Sequence, residues 1–207
     1  MIALFLLALL QTTPQERHDS AIEGIKRRAA GLSAACLTDL ADAETWRRGR
    51  PELQRRVRDM IGLDPWPPRG DLKARITGRI ERERYWIEKI VYQSLPGLYV
   101  TGNLYLPKGA SAPAPVLLYV CGHAPHPKGA KANYQDRIHW YAERGWAVLV
   151  LDTLEFGEVP GLHHGVHDLN LFDWLSRGYA PIGVEVWNAM RGIDYLATRP
   201  EVDSSRL

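Results

Sequence analysis

Val116-Leu-Leu-Tyr-Val120 and Trp146-Ala-Val-Leu-Val-Leu-Asp152 decide the fold class of this chain. Both runs are short, rich in Val and Leu, and bounded by Pro, Gly or Asp, as strands buried on both faces of a parallel sheet are. Between them Tyr134, Ile138, Tyr141 and Ala142 recur at i, i+4, i+7 and i+8, which is the spacing of one helix face. Asn133 stands where it can cap such a helix and Gly145 where it can end it. A helix is therefore predicted over about Asn133 to Glu143. Strand, helix and strand at this spacing make a βαβ unit with a right-handed crossover. In such sheets ligands bind outside the carboxyl ends of the strands. The segments after Val120 and Leu151 are thus where chemistry is expected.

Upstream, the pattern changes to alternation. Tyr85-Trp-Ile-Glu-Lys-Ile-Val-Tyr92 and Leu98-Tyr-Val-Thr-Gly-Asn-Leu-Tyr-Leu106 are rich in aromatic and β-branched residues and flank the turn Leu95-Pro-Gly97. They predict an antiparallel hairpin, with a further strand over Arg75 to Arg82. The stretch from Arg17 to Leu63 reads as helical. Its best element is Pro51 to Ile61, with Pro51 near the first position, Gly62 at the end and Leu53, Val57, Met60 and Ile61 in one stripe. Asp64-Pro-Trp-Pro-Pro68 stops that helix and reads as a linker. Downstream of Asp152, Leu171 to Leu175 predicts a short helix and Ile182 to Thr198 a longer one, with a further strand starting near Asp203. The fold class is α/β: a mixed, mostly parallel sheet with an antiparallel N-terminal hairpin, preceded by a helical lead-in. The expected divisions are 1–13, 14–68 and 69–207.

Composition narrows the function classes. Lys+Arg 26 against Asp+Glu 24 leaves a net charge of +2 in 207 residues. That lacks the basic surplus that phosphate neutralisation requires, so no nucleic-acid partner is expected. Met1 to Leu10 is a continuous apolar run followed by Gln11-Thr-Thr-Pro14. It is too short to span a bilayer but suits a signal-peptide core, although no basic residue precedes it and no Ala-x-Ala site follows. The expectation is a secreted or periplasmic protein without a membrane span. Cys36 and Cys121 are the only cysteines, and their spacing specifies neither a disulfide nor a zinc site.

The hairpin, the βαβ unit and the long helix running into Asp194-Tyr-Leu-Ala-Thr-Arg-Pro-Glu-Val-Asp203 together resemble the α/β-hydrolase family. The nearest branch resembled is that of the secreted acetylxylan esterases and dienelactone-hydrolase-related enzymes. The resemblance runs from about Tyr85 to Leu207. Asp152-Thr-Leu-Glu-Phe-Gly-Glu158 is similar to a glycine-bearing loop of that family, with Glu155 and Phe156 departing from its usual glycines. Val120-Cys-Gly-His123 stands where the family has a His-Gly oxyanion turn, with Cys121 in place of the usual His. The resemblance implies that Gly122 and His123 lie in the oxyanion-hole region, where a backbone N–H would stabilise a developing oxyanion. It also implies a Ser-Asp/Glu-His triad that begins at a Gly-x-Ser-x-Gly elbow. No such elbow occurs in these 207 residues. Gly31-Leu-Ser-Ala-Ala35 lacks the final Gly and sits in helical sequence, which argues against Ser33 as nucleophile. The resemblance therefore implies the N-terminal portion of a serine hydrolase of carboxylic esters, acting on a small-molecule or carbohydrate (acetyl) ester and inactive alone. A prolyl-oligopeptidase-like peptidase and a non-catalytic binding domain of the same fold are the alternatives.

Other residue types admit weaker readings. His163, His164 and His167, with His123 and His126, could be imagined around a metal. The interspersed glycines oppose a stable helix there and no HExxH is present, so neither metal nor cofactor is expected. Trp140, Trp146, Trp174 and Trp187 are expected to pack rather than to form sugar platforms. Cys121 and His123 are not expected to act as a nucleophile dyad, because near neighbours on an extended chain do not converge.

Overall fold

The computed structural model describes residues 12–36, 42–109, 113–122, 129–159 and 161–207. The apolar run of Met1 to Leu10 lies outside these residues, as do His123 and His126. The chain divides into two compact units, Met1–Gln54 and Arg55–Leu207. Among the described residues no helix is long and apolar enough to cross a membrane.

Helix α1 covers Pro14–Ala35 and opens on a capping box. The Glu16 amide donates to Thr13 Oγ1 at 3.2 Å and the Thr13 amide donates to Glu16 Oε2 at 2.7 Å, a device worth about 1 kcal/mol. Helix α2 covers Ala43–Met60. Neither helix buries a residue. The sequence predicts a helix start at Pro51, yet Pro51 lies inside α2. Asp42 explains the difference, because its carboxylate accepts the Thr45 amide at 2.7 Å and starts the helix earlier. Gly62, at φ +73°, follows the helix as expected.

The second unit is built on one six-stranded sheet. Its strands are β1 (Arg75–Glu81), β2 (Tyr85–Leu95), β3 (Leu98–Pro107), β4 (Ala114–Tyr119), β5 (Ala147–Leu151) and β6 (Val202–Asp203), in the order β1-β2-β3-β5-β4-β6. β1, β2, β3 and β5 pair antiparallel in succession, whereas β4 pairs parallel with β5 and with β6. The hairpin turn, with Gly97 at φ +81°, and the parallel pair are as the alternation and the twin apolar runs predict.

Among the described residues five helices accompany the strands: α3 (Ala130–Asn133), α4 (Gln135–Ala142), α5 (Gly165–Asp168), α6 (Asp173–Ser176) and α7 (Pro181–Leu196). The core lies on both faces of the sheet. Leu149 and Leu151 of β5 join Tyr92, Leu104, Tyr195 and Leu196 in one cluster, while Val148 and Val150 join Tyr105, Ile138 and Ala142 in another. Every β5 residue is buried, each contributing on the order of 1.5–3 kcal/mol for a Val or Leu. That two-sided burial is why β5 reads as an unbroken apolar run. β4 differs: only Ala114 and Val116 are buried, because β6 pairs with just its first two residues. Val120 lies beyond the strand end and is exposed.

The crossover helix also differs from the predicted single element. Tyr134, at φ −103° and ψ 13°, separates α3 from α4, and Asn133 ends α3 instead of capping α4. Tyr134 turns to pack against Tyr119 at 5.8 Å between ring centroids, a contact between strand and helix that no local pattern displays. Helix α7 lies close to the sheet because Gly192 has no Cβ. One added there would lie 3.0 Å from Tyr92 Oη and 3.3 Å from Leu149. Tyr92 Oη donates to Asn188 O at 2.6 Å and Trp187 Nε1 to Ser94 O at 3.0 Å. The expected linker is a packed segment, with Leu63 buried and Trp66 stacked on Trp187 at 6.1 Å.

Candidate functional site

Strands β4 and β5 end side by side, with Tyr119 opposite Val150 in the parallel register. Two segments leave this edge: Val120-Cys-Gly122, and the loop that starts at Asp152. Gly122 is exposed at the first exit, and among the described residues a Cβ there would meet Tyr134 Oη, at 3.4 Å. His123, its predicted partner, lies outside the described residues. Cys121 is half-buried and unbridged, as is exposed Cys36. Burial, and after it the Asp152 carboxylate, push the Cys121 thiol up to about 12. At neutral pH it stays protonated, which is the wrong form for a nucleophile.

The second exit is organised by a polar cluster. The Asp152 side chain is fully enclosed. Its Oδ2 accepts from Lys131 Nζ at 2.5 Å, Thr101 Oγ1 at 2.8 Å and the Glu158 amide at 3.2 Å. Lys131, itself buried, also donates to the Glu158 carboxylate. The hydrogen bond from Lys131, together with its charge, holds the Glu158 carboxyl below the usual range. Gly157, at φ +90°, presses its backbone on Asp152: a Cβ there would stand 2.6 Å from the carboxylate carbon. Thus the segment that follows β4 and the loop that follows β5 meet on one buried carboxylate. Asp152 is legible in the sequence as a loop start, whereas Lys131 carries no such mark. The available signal was Asp152 itself, since a carboxylate ending a fully buried strand needs a cation nearby.

Beyond Gly157 the loop is folded back by Glu155, a non-glycine residue at φ +75°. Its Oε2 accepts the His163 and His164 amides at 2.7 and 2.9 Å and lies 3.3 Å from His164 Nδ1. The His164 amide, then that of His163, holds the Glu155 carboxyl below its ordinary value. His163 Nδ1 lies 3.3 Å from Glu185 on α7. His163 and His167 share no helix face, as the interspersed glycines lead one to expect: α5 begins at Gly165 and leaves His163 in the preceding turn. Glu155, His164 and Asp168 bring ligand-capable atoms within 4.8 Å of one another. Since Glu155 Oε2 already serves two backbone amides, its geometry is that of a loop cap.

A hollow of about 490 Å3 lies elsewhere, lined by Arg79, Trp86, Glu88, Ala114 and Glu201 among others. Ala114 opens β4 and Glu201 precedes β6. The hollow is therefore at the amino ends of the parallel strands, the wrong end for chemistry in a sheet of this type.

No family model matches this chain, and no curated protein does. Solved structures do. An acetyl xylan esterase from Paenibacillus sp. R4 aligns over 75% of this chain and 49% of its own, with 22% identity and a TM-score of 0.54. Acetyl xylan esterase 1 from Thermoanaerobacterium sp. JW/SL YS485 aligns over 72% and 46%, with 14% identity and a TM-score of 0.51. The methylesterase BT1017 aligns over 82% and 36%, with 21% identity and a TM-score of 0.58. The chain thus spans less than half the length of these proteins. These structural neighbours are esterases, and the chain shares the fold of the part that it matches.

Proposed function

We propose that this chain is the N-terminal portion of a serine hydrolase of carboxylic esters, acting on acetylated or related carbohydrate esters outside the cytoplasm. The observation that supports this most is topological. An antiparallel lead-in, the parallel pair β4 and β5, and the entry of β6 beside β4 follow the order of esterase folds. β6 follows α7 and pairs with the outer edge of β4, where a nucleophile strand would run. In this reading Gly122 and His123 form the oxyanion turn and Gly122 leaves room for substrate to approach the backbone. Asp152, Lys131 and Glu155 hold the facing loop, and Cys121 remains a bystander thiol.

The chemistry is acyl transfer to a serine followed by attack of water, and the serine must come from outside residues 1–207, in which no Gly-x-Ser-x-Gly occurs. The apolar run at Met1 to Leu10 serves as an export signal in this reading. The test compares 1–207 with the polypeptide read on past Leu207 in the encoding DNA, using p-nitrophenyl acetate and acetylated xylan. The expected result is saturable hydrolysis by the longer protein alone. Hydrolysis of peptide bonds but not esters by the longer protein would favour a peptidase. An inert longer protein would favour a binding domain of the same fold.

A further inference from the structure

We propose that the hollow between Leu162, Trp174, Arg177 and Tyr179 is a carbohydrate subsite; against the sequence expectation that it only packs, Trp174 is half-buried and lines the hollow, where it stacks on one face of a pyranose ring. The choice of a xylan-type sugar as probe rests on the ester-hydrolase reading; the subsite itself rests on the geometry that follows.

The hollow has a volume of about 550 Å3 and is completed by Gly161, a size within the roughly 300–1,000 Å3 of small-molecule sites. Trp174 is fixed from two sides. A Cβ on Gly165 would stand 2.7 Å from the indole Cζ3, so the backbone approaches the ring as only glycine permits. The Tyr179 ring stands perpendicular to the indole, at 4.9 Å between centroids and 87° between planes. The Tyr179 amide donates to Trp174 O at 2.9 Å. A ring held in this way loses little freedom on binding, which favours affinity.

The walls are unequal in character. Leu162 and the indole supply apolar surface, whereas Arg177 and Tyr179 carry hydrogen-bonding groups. The Arg177 guanidinium is held 3.1 Å from Asp173 and stays well exposed. Gly161, Leu162 and Arg177 are exposed, so an occupant keeps one side in water. A wholly apolar acyl chain is poorly served by so open a site. A sugar ring, with a C–H face for the indole and hydroxyls for Arg177 and Tyr179, suits it.

The hollow is linked through side chains to the loop that leaves β5. The Glu185 carboxylate, which lies against His163, raises the Tyr179 phenol after burial does. His163 and His164 are in turn tied to Glu155 in the loop that leaves β5. Leu169, Phe172 and Leu175 on the same segment are exposed, an apolar concentration that marks contact surface.

Calorimetric titration of the protein with xylotetraose, which carries no ester, tests the subsite without turnover. The expected result is saturable binding that weakens at least tenfold in Trp174→Ala and in Leu162→Arg, which places a bulky cation in the mouth. Trp140→Ala, on α4 and away from the hollow, should bind as the parent does. Leu162 is exposed, so Leu162→Arg decides the matter if Trp174→Ala fails to fold. No saturable binding by the parent, or undiminished binding by either folded variant, would overturn the proposal. Sugar binding that persists in a longer protein without esterase activity would remove the hydrolase reading and leave the subsite standing.

Discussion

Two buried carboxylates stand towards opposite ends of the sheet, and their surroundings differ. Glu88 on β2 is fully enclosed, and each of its oxygens has a cation: Oε1 meets Arg79, and Oε2 meets Arg199 at 2.5 Å. Arg199 donates further to Tyr195 Oη at 2.6 Å and to Glu201 at 3.0 Å. Burial pulls the Arg199 guanidinium down, but bonds to Glu201, Glu88 and Tyr195 outweigh it and leave the group raised. Asp152 is equally enclosed, yet three donors crowd onto Oδ2 while buried Oδ1 has no hydrogen-bond partner among the described residues. Its lid is a positive-φ glycine, and the neighbouring Glu155 is at positive φ without being glycine. A complete ion cluster staples strands to the segment after a helix. An incomplete one, framed by strained backbone, is what functional edges carry.

The contrast can be broken first at the complete cluster. Arg199→Met leaves Glu88 short of a cation and should lower unfolding free energy by about 3–5 kcal/mol in urea titrations. Amide exchange across 153–158 should stay as it was. Loosening of that loop would show that the two ends are coupled and not separate devices.

Lys131→Met should cost a comparable amount, about 3–5 kcal/mol, since it takes from enclosed Asp152 the one cation it has among the described residues, while Glu158 is largely exposed and can turn to water. Here the loop should respond, with faster exchange from Thr153 to Glu158. A purely global loss of stability, with unchanged local exchange, would reduce Lys131 to an ordinary structural ion. Gly157→Ala should cost on the order of 1–3 kcal/mol, because φ +90° and the Asp152 carboxylate both oppose a Cβ. A neutral outcome would mean that the loop does not press on Asp152.

The smallest effect belongs to Glu155. Its folded pKa is depressed, so its cap on His163 and His164 is fully present above the unfolded value of about 4.3 and is lost as pH falls through the folded one. Glu155→Gln should cost about 1 kcal/mol at neutral pH. In the parent, protection of the His163 and His164 amides should fall on acidification below pH ~4. Equal protection at neutral and strongly acid pH would remove the cap.

Much of the second unit was legible in sequence because its strands bury apolar side chains in simple patterns. β5 is buried on both faces and shows an unbroken run, and the β2–β3 turn is announced by Leu95-Pro-Gly97. Misreadings arose where distant partners override local signals. Pro51 looked like a helix start because the Asp42 cap lies nine residues earlier, and Tyr134 breaks the crossover helix to reach Tyr119. Of the candidate site, the position of Gly122 just past a strand end was legible, while its oxyanion role belongs to the proposal. Lys131 was not legible, since Gly129-Ala-Lys-Ala-Asn133 carries no mark of burial, and only Asp152 across the sheet edge makes its ammonium worth enclosing.

The central claim is that these residues form the oxyanion side of an ester-hydrolase site whose nucleophile lies elsewhere. Fluorophosphonate labelling read by intact-mass and peptide mass spectrometry tests it most directly. The account predicts no adduct on 1–207 and one adduct per chain on the longer polypeptide, at a serine following β6. A stoichiometric adduct on any serine within 1–207, Ser33 included, would contradict it.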